Sequence, residues 1–157
     1  MNHSLPIRPF ILAAIIPIFG QSAFAGPLEA YRGEKRLIVM FLPQGETTEK
    51  VSAMIVQNRE KIDERHLEIV DVSEGPPRIS TAVRFSLEQT HSLRKQLKID
   101  VREVLPTFIL IGKDGSEKAR SQGDLDLKKW FALIDQMPMR RGEIQHQERQ
   151  STELRKP

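Results

Sequence analysis

Cysteine is absent from all 157 residues. That excludes disulfide stapling, attachment of a lipid through an N-terminal cysteine, and every mechanism that needs a thiol nucleophile. Aromatic residues are scarce at 6%, with one Trp and one Tyr, and three of the seven Phe (Phe10, Phe19, Phe24) lie in the first 25 residues, so the rest of the chain is aromatic-poor. Charge of one sign is lacking too. The formal net charge of +3 is a small excess of bases and argues against a nucleic-acid partner. Metal-ligand spacing is missing among His66, His91 and His146. Neither a metal nor an organic cofactor is expected. Gly112-Lys113-Asp114-Gly115 has no helix opening after it and reads as a turn, not a phosphate loop.

The one long apolar stretch lies at the N-terminus. Arg8 precedes an apolar run from Pro9 to Phe19, and Ala23-Phe24-Ala25 closes it in a small-x-small pattern. This is the layout of a secretory signal cleaved after Ala25. A membrane anchor is the alternative, but the run has about half of the ~20 residues a spanning helix needs. Residues 1–25 are therefore read as a signal peptide, residues 26–138 as one domain, and residues 139–157 as a charged tail. The expected location is periplasmic or secreted, with no stable membrane anchor after cleavage.

Within the domain, "KRLIVMFLP" (residues 35–43) is a continuous apolar run that predicts a strand buried on both faces. "ETTEKVSAMIVQNREKI" (46–62) predicts one helix, with Val51, Met54, Ile55 and Ile62 on one face and Thr47 or Thr48 as its cap. "HLEIVDV" (66–72) predicts a second strand, and strand–helix–strand suggests a parallel unit. Residues 73–85 form a long loop punctuated by Gly75-Pro76-Pro77. Ser86 with Gln89 predicts a capping box opening a helix through about Ile99. "LPTFILI" (105–111), a turn at 112–115 and a return strand at 116–120 predict a hairpin. Residues 124–137 predict a helix capped by Asp124 or Asp126, with Leu127, Trp130, Phe131 and Ile134 inward and Pro138 as its stop. The tail has no apolar periodicity and predicts a frayed helix or disorder, and Arg140-Arg141 read as a solvated helix end.

The order β-α-β-α-β-β-α predicts an α/β, thioredoxin-like mixed four-stranded sheet flanked by helices. "VLPTFILIGKDG" resembles the proline-led strand and hairpin of thioredoxins. The resemblance implies a cis Leu105–Pro106 bond facing the start of the first helix; a trans proline opening an ordinary α/β hairpin is the alternative. Peroxiredoxins, a branch of that fold, carry Pro-x-x-x-Thr-x-x-Cys at the same turn. Pro43 and Thr47 match, and Lys50 stands at the cysteine position. In the thioredoxin register Glu46 and Glu49 fall near the thiol positions. Family-type redox chemistry is therefore excluded in either register, because a thiolate is needed. Over nearly the whole chain after residue 25, "LIVMFLP", "LIGKDGSEKARS" and "FALIDQMPMRRGE" resemble an uncharacterised thioredoxin-like, peroxiredoxin-related family of small exported bacterial proteins. Related domains occur in vertebrate sushi-repeat-containing and coiled-coil-domain-containing extracellular proteins.

The resemblance implies a groove lined by Pro43, Gln44, Gly45, Glu46, Thr47, Leu105, Pro106 and Thr107, able to take an extended peptide or protein segment by strand addition. No catalytic residue is assigned. The competing reading is a thiol-independent enzyme using Thr47 with Glu46 or Lys50 at the same turn. A third is a structural module whose tail recruits a partner.

Overall fold

The computed structural model describes residues 26–43, 47–75, 79–100, 102 and 104–154. The expected signal segment lies outside the described residues. A short 3-10 turn, Gly26–Tyr31, leads into β1, Arg36–Phe41. Then follow α1 (Thr47–Gln57), α2 (Arg59–Glu64), β2 (Leu67–Asp71) and α3 (Leu87–Gln96). The chain continues through β3 (Thr107–Ile111), β4 (Glu117–Gln122), α4 (Leu127–Asp135) and α5 (Pro138–Glu153).

The sheet order is β2-β1-β3-β4. β1 pairs parallel with β2 and antiparallel with β3, and β3 pairs antiparallel with β4. Leu37 to Phe41 are buried, as expected of a run apolar on both faces, and Arg36, the charge at its boundary, is buried as well. Their alternation divides the core. Ile38, Met40 and Leu42 face one cluster with Val51, Ile55, Phe108, Trp130 and Ile134. Leu37, Val39 and Phe41 face a second cluster with Leu28, Val70, Leu93, Leu97 and Ile109. Helices α1, α2 and α4 thus cover one face, and α3 with the N-terminal turn covers the other. Each fully buried large apolar side chain stabilises by about 1.5–3 kcal/mol relative to exposure.

The local signals explain most boundaries. Ser86 caps α3 in a reciprocal box with Gln89, and Asp126, not Asp124, caps α4 through the Lys129 amide. Leu127, Trp130, Phe131 and Ile134 are all buried. The return strand runs on to Gln122, because Thr107 pairs with that residue and the Pro106 carbonyl accepts from the Gly123 amide at 2.8 Å.

Several expectations are corrected. The helix expected over 46–62 is two helices that meet at Asn58, whose side-chain amide donates to the Met54 carbonyl at 2.8 Å. Asparagine offers the backbone that competing bond, which weakens a helix interior. Thr47 and Thr48 lie inside the first turn of α1, not before it. α3 ends at Gln96, where Lys98 turns to φ 52° and the Ile99 amide returns to the Arg94 carbonyl at 2.9 Å. That is a Schellman closure with lysine where glycine is usual. The Leu105–Pro106 bond is trans, since no cis peptide occurs among the described residues. Proline stands one residue before the first ladder pair, so the lower-energy trans form meets every requirement of the sheet.

Residues 138–153, read as a stop followed by a frayed helix or disorder, form the continuous helix α5, which begins at Pro138. Pro138 occupies its first turn, where a missing N–H costs nothing. Arg140 is 1% exposed, so it is a buried anchor and not part of a solvated end.

Candidate functional site

The β1–β3 register builds the candidate groove. Phe41 pairs with Thr107 as the last β1 residue, so Leu42-Pro43 and Leu105-Pro106 leave the same end of the sheet. α1 begins at that end with Thr47. The topology thus brings together the two segments that the sequence had separated by some sixty positions. Of the residues expected to line the groove, Gln44, Gly45 and Glu46 lie outside the described residues. Pro43 is half-buried, while Pro106 and Thr107 are buried beneath the surface. Leu105 is 53% exposed and follows Val104, also exposed. Among the described residues no backbone hydrogen bond engages the Leu105 amide or carbonyl. This end of the sheet therefore presents an exposed apolar pair, Val104-Leu105, whose Leu105 backbone is unengaged among the described residues, while the threonine expected beside it is part of the core.

Glu49 and Lys50, the residues at degenerate thiol positions that are described, are exposed on the first turn of α1. Acid–base work requires a shielded group near its reacting proton, and this position does not shield them.

Polar side chains buried at the same end were missed by the sequence reading. Asp71, the last residue of β2, is 1% exposed, and its Oδ1 accepts from the Ser73 amide at 2.9 Å. The Ser73 hydroxyl in turn accepts from the Leu42 amide at 2.7 Å, joining the 73–85 loop to the turn after β1. Arg84 donates to the Ser73 carbonyl at 3.2 Å and the Gly75 carbonyl at 2.9 Å. Val83 also bridges to Val70 in parallel. The loop that the sequence marked as irregular is therefore pinned along its described length. Arg94 lies below, 5.7 Å from the Phe41 ring centroid, with Nη1 on Glu74 at 2.8 Å.

The opposite end of the sheet holds an ion cluster. Glu143 on α5 accepts from Arg36 Nη1 at 3.1 Å, from Arg36 Nη2 at 3.2 Å and from Lys113 Nζ at 2.8 Å. Lys113 Nζ is 3.0 Å from His66 Nδ1. Arg140 donates to the Glu64 carbonyl at 3.0 Å and its carboxylate at 2.7 Å, with Asp135 at 3.4 Å. Arg65 bonds Asp135 at 2.6 Å and stacks 4.8 Å from the Phe131 centroid. Burial alone would raise the Glu143 carboxyl, but hydrogen bonds from Arg36 and Lys113 outweigh it and hold it below the usual range. Burial, then the Lys113 ammonium, push His66 down, so its imidazole stays neutral. The cluster fastens α5 to β1 through Glu143 and Arg36, and to α2 through Arg140, that helix's one buried residue, and Glu64.

A concavity of about 760 Å³ between α1, α2 and α4 shares no residue with the groove. Met54 and Phe131 line it under a rim that includes Lys61, Arg65 and Asp124. Among the described residues no group of three potential metal ligands exists, and no helix is long and apolar enough to cross a membrane.

The model of a family described as a domain of unknown function, DUF4174, matches residues 27–143. No curated protein matches the chain. Solved structures with similar architecture include Plasmodium yoelii thioredoxin peroxidase I, at 18% identity and TM-score 0.54, covering 78% of this chain and 79% of that one. The mitochondrial 2-Cys peroxiredoxin of Plasmodium falciparum gives 14% and 0.52, covering 69% and 78%. A thiol:disulfide interchange protein of the thioredoxin family from Chlorobium tepidum TLS gives 15% and 0.52, covering 68% and 81%. At these identities the likeness establishes the thioredoxin-like fold.

Proposed function

The chain belongs to the DUF4174 family, and from that premise we propose that it is an exported, non-catalytic thioredoxin-like domain that binds an extended peptide or protein segment. The observation that carries the reading is Leu105. Its side chain is exposed and its backbone amide and carbonyl are unengaged among the described residues, at the sheet end where α1 begins. An extended segment laid there gains main-chain hydrogen bonds by strand addition and an apolar contact from the Val104–Leu105 pair. The absence of cysteine removes thiol exchange from that end. Export rests on the pattern of residues 1–25 and on the resemblance to exported bacterial and vertebrate extracellular domains.

The test places a photo-crosslinking residue at Leu105 in one variant and at Leu154, another exposed apolar residue, in a second. Both are exposed to an extracytoplasmic extract. A discrete adduct from position 105 alone supports the reading. Equal adducts from both positions, or none from 105, refute it. The N-terminal residue of the secreted protein tests export: Gly26 is expected, and retention of residues 1–25 in the cytoplasm overturns it.

A further inference from the structure

α3 carries an arginine that is buried without being fully paired. Arg94 is 3% exposed, and its Nη1 donates to Glu74 Oε1 at 2.8 Å. Among the described residues, Nε and Nη2 find no acceptor although both are buried. Buried polar groups are normally satisfied, and a buried guanidinium most of all. Nε and Nη2 form one edge of the planar group, and their spacing matches two oxygens of a carboxylate or phosphate.

A cavity of about 310 Å³ opens here, lined by Glu74, His91, Arg94, Lys95 and Ile99. Three of the five are bases and one is an acid. Glu74 meets the arginine with a single oxygen, which also lies 3.6 Å from His91 Nε2. Its side chain is 61% exposed, so it spans from solvent to a buried cation. The loop beneath it is held by Arg84 on the Ser73 and Gly75 carbonyls, with Asp71 3.8 Å from Arg84 Nε. The backbone that carries Glu74 is thereby held in place.

We propose that this cavity is an oxyanion site: a ligand's carboxylate or phosphate group sets two oxygens on the Nε–Nη2 edge of Arg94, next to Glu74 on Nη1 and flanked by His91 and Lys95. Glu74, on Nη1, is the internal anion that competes for the same guanidinium when no ligand is present. Its hydrogen bond from Arg94 holds its carboxyl below the usual range, so it competes as an anion across neutral pH. The site goes beyond the groove at Leu105 and does not depend on it.

The test titrates the protein with sodium phosphate and separately with sodium succinate, at ionic strength held constant with sodium chloride. The Arg94 Nε–H resonance is followed by NMR. A saturable shift with either anion is expected, and the more effective one identifies the ligand as phosphoryl or carboxylate. Glu74→Gln should bind about tenfold more tightly, because it removes the internal competitor. Glu88→Gln deletes the same charge from an exposed position on α3 and should leave affinity within about twofold. Arg94→Gln, checked to be folded, should lose the response. The proposal is overturned if the Nε–H resonance does not shift saturably, or if Glu74→Gln and Glu88→Gln change affinity equally. Because crosslinking at Leu105 reads a different surface, either proposal can fail while the other stands.

Discussion

Replacing Glu143 by Gln removes the anion that holds α5 to the sheet. The carboxylate meets Arg36, which is 1% exposed, and Lys113, which is 9% exposed. Glutamine keeps the shape but leaves two buried cations facing a neutral amide. Breaking a buried ion pair costs about 3–5 kcal/mol. Arg36 keeps its bond to the Arg65 carbonyl at 2.9 Å, and the Glu143 side chain is 17% exposed, so the low end applies. The expected loss is ~3 kcal/mol, a fall in Tm of roughly 10 °C for a domain of this size. Urea unfolding followed by Trp130 fluorescence and by far-UV circular dichroism measures it. Crossing Glu143→Gln with Lys113→Met should give a coupling of more than ~1 kcal/mol, because the second change removes a cation stranded by the first. The Glu143 carboxyl titrates lower in the folded than in the unfolded chain, so the unfolded chain binds the proton first. The stabilisation is complete above about pH 4.5 and is lost as pH falls through the folded value. The variant should lack that acid limb. A loss below ~0.5 kcal/mol, or an unchanged acid limb, would refute the claim that this cluster fastens α5.

His66 should titrate by NMR with a midpoint below 6.5, because burial and then Lys113 oppose its charged form. Its contribution is complete above pH 6.5 and is lost as pH falls through the folded value; an ordinary midpoint contradicts the packing. Ser86→Ala should cost about 1 kcal/mol in urea unfolding, since the Gln89 amide loses its capping acceptor. Lys98→Gly should raise stability by up to about 1 kcal/mol, because Lys98 sits at φ 52° where glycine carries no Cβ penalty; destabilisation would show that its side chain matters more than its backbone.

What was legible in the sequence is what neighbouring residues decide among themselves. The six-residue run of β1, the Ser86–Gln89 box and the inward face of α4 are written in periodicity and capping chemistry. The candidate groove was legible only by resemblance, through Pro43, Thr47 and the proline-led strand. The structure retains the juxtaposition but buries Thr107 and leaves Leu105 as its open element. Arg36 reads as a boundary charge, Lys113 as a turn residue and Arg140 as a helix end, because nothing near them in the chain signals burial.

The sequence by itself determined the order of the four strands and of the helices α1, α3 and α4 among them, the alternation that gives the sheet two apolar faces, and the exclusion of thiol chemistry. Those follow from short-range pattern and composition. Tertiary structure decided that Arg36 meets Glu143, 107 positions away, and that Lys113 meets His66, 47 positions away. It also decided that residues 138–153 form a helix anchored by Arg140, and that Arg94 lies against Phe41 with two nitrogens unmatched among the described residues. Whether a charge is solvated or buried depends on which end of the sheet its strand delivers it to, and that is settled only when the strands pair.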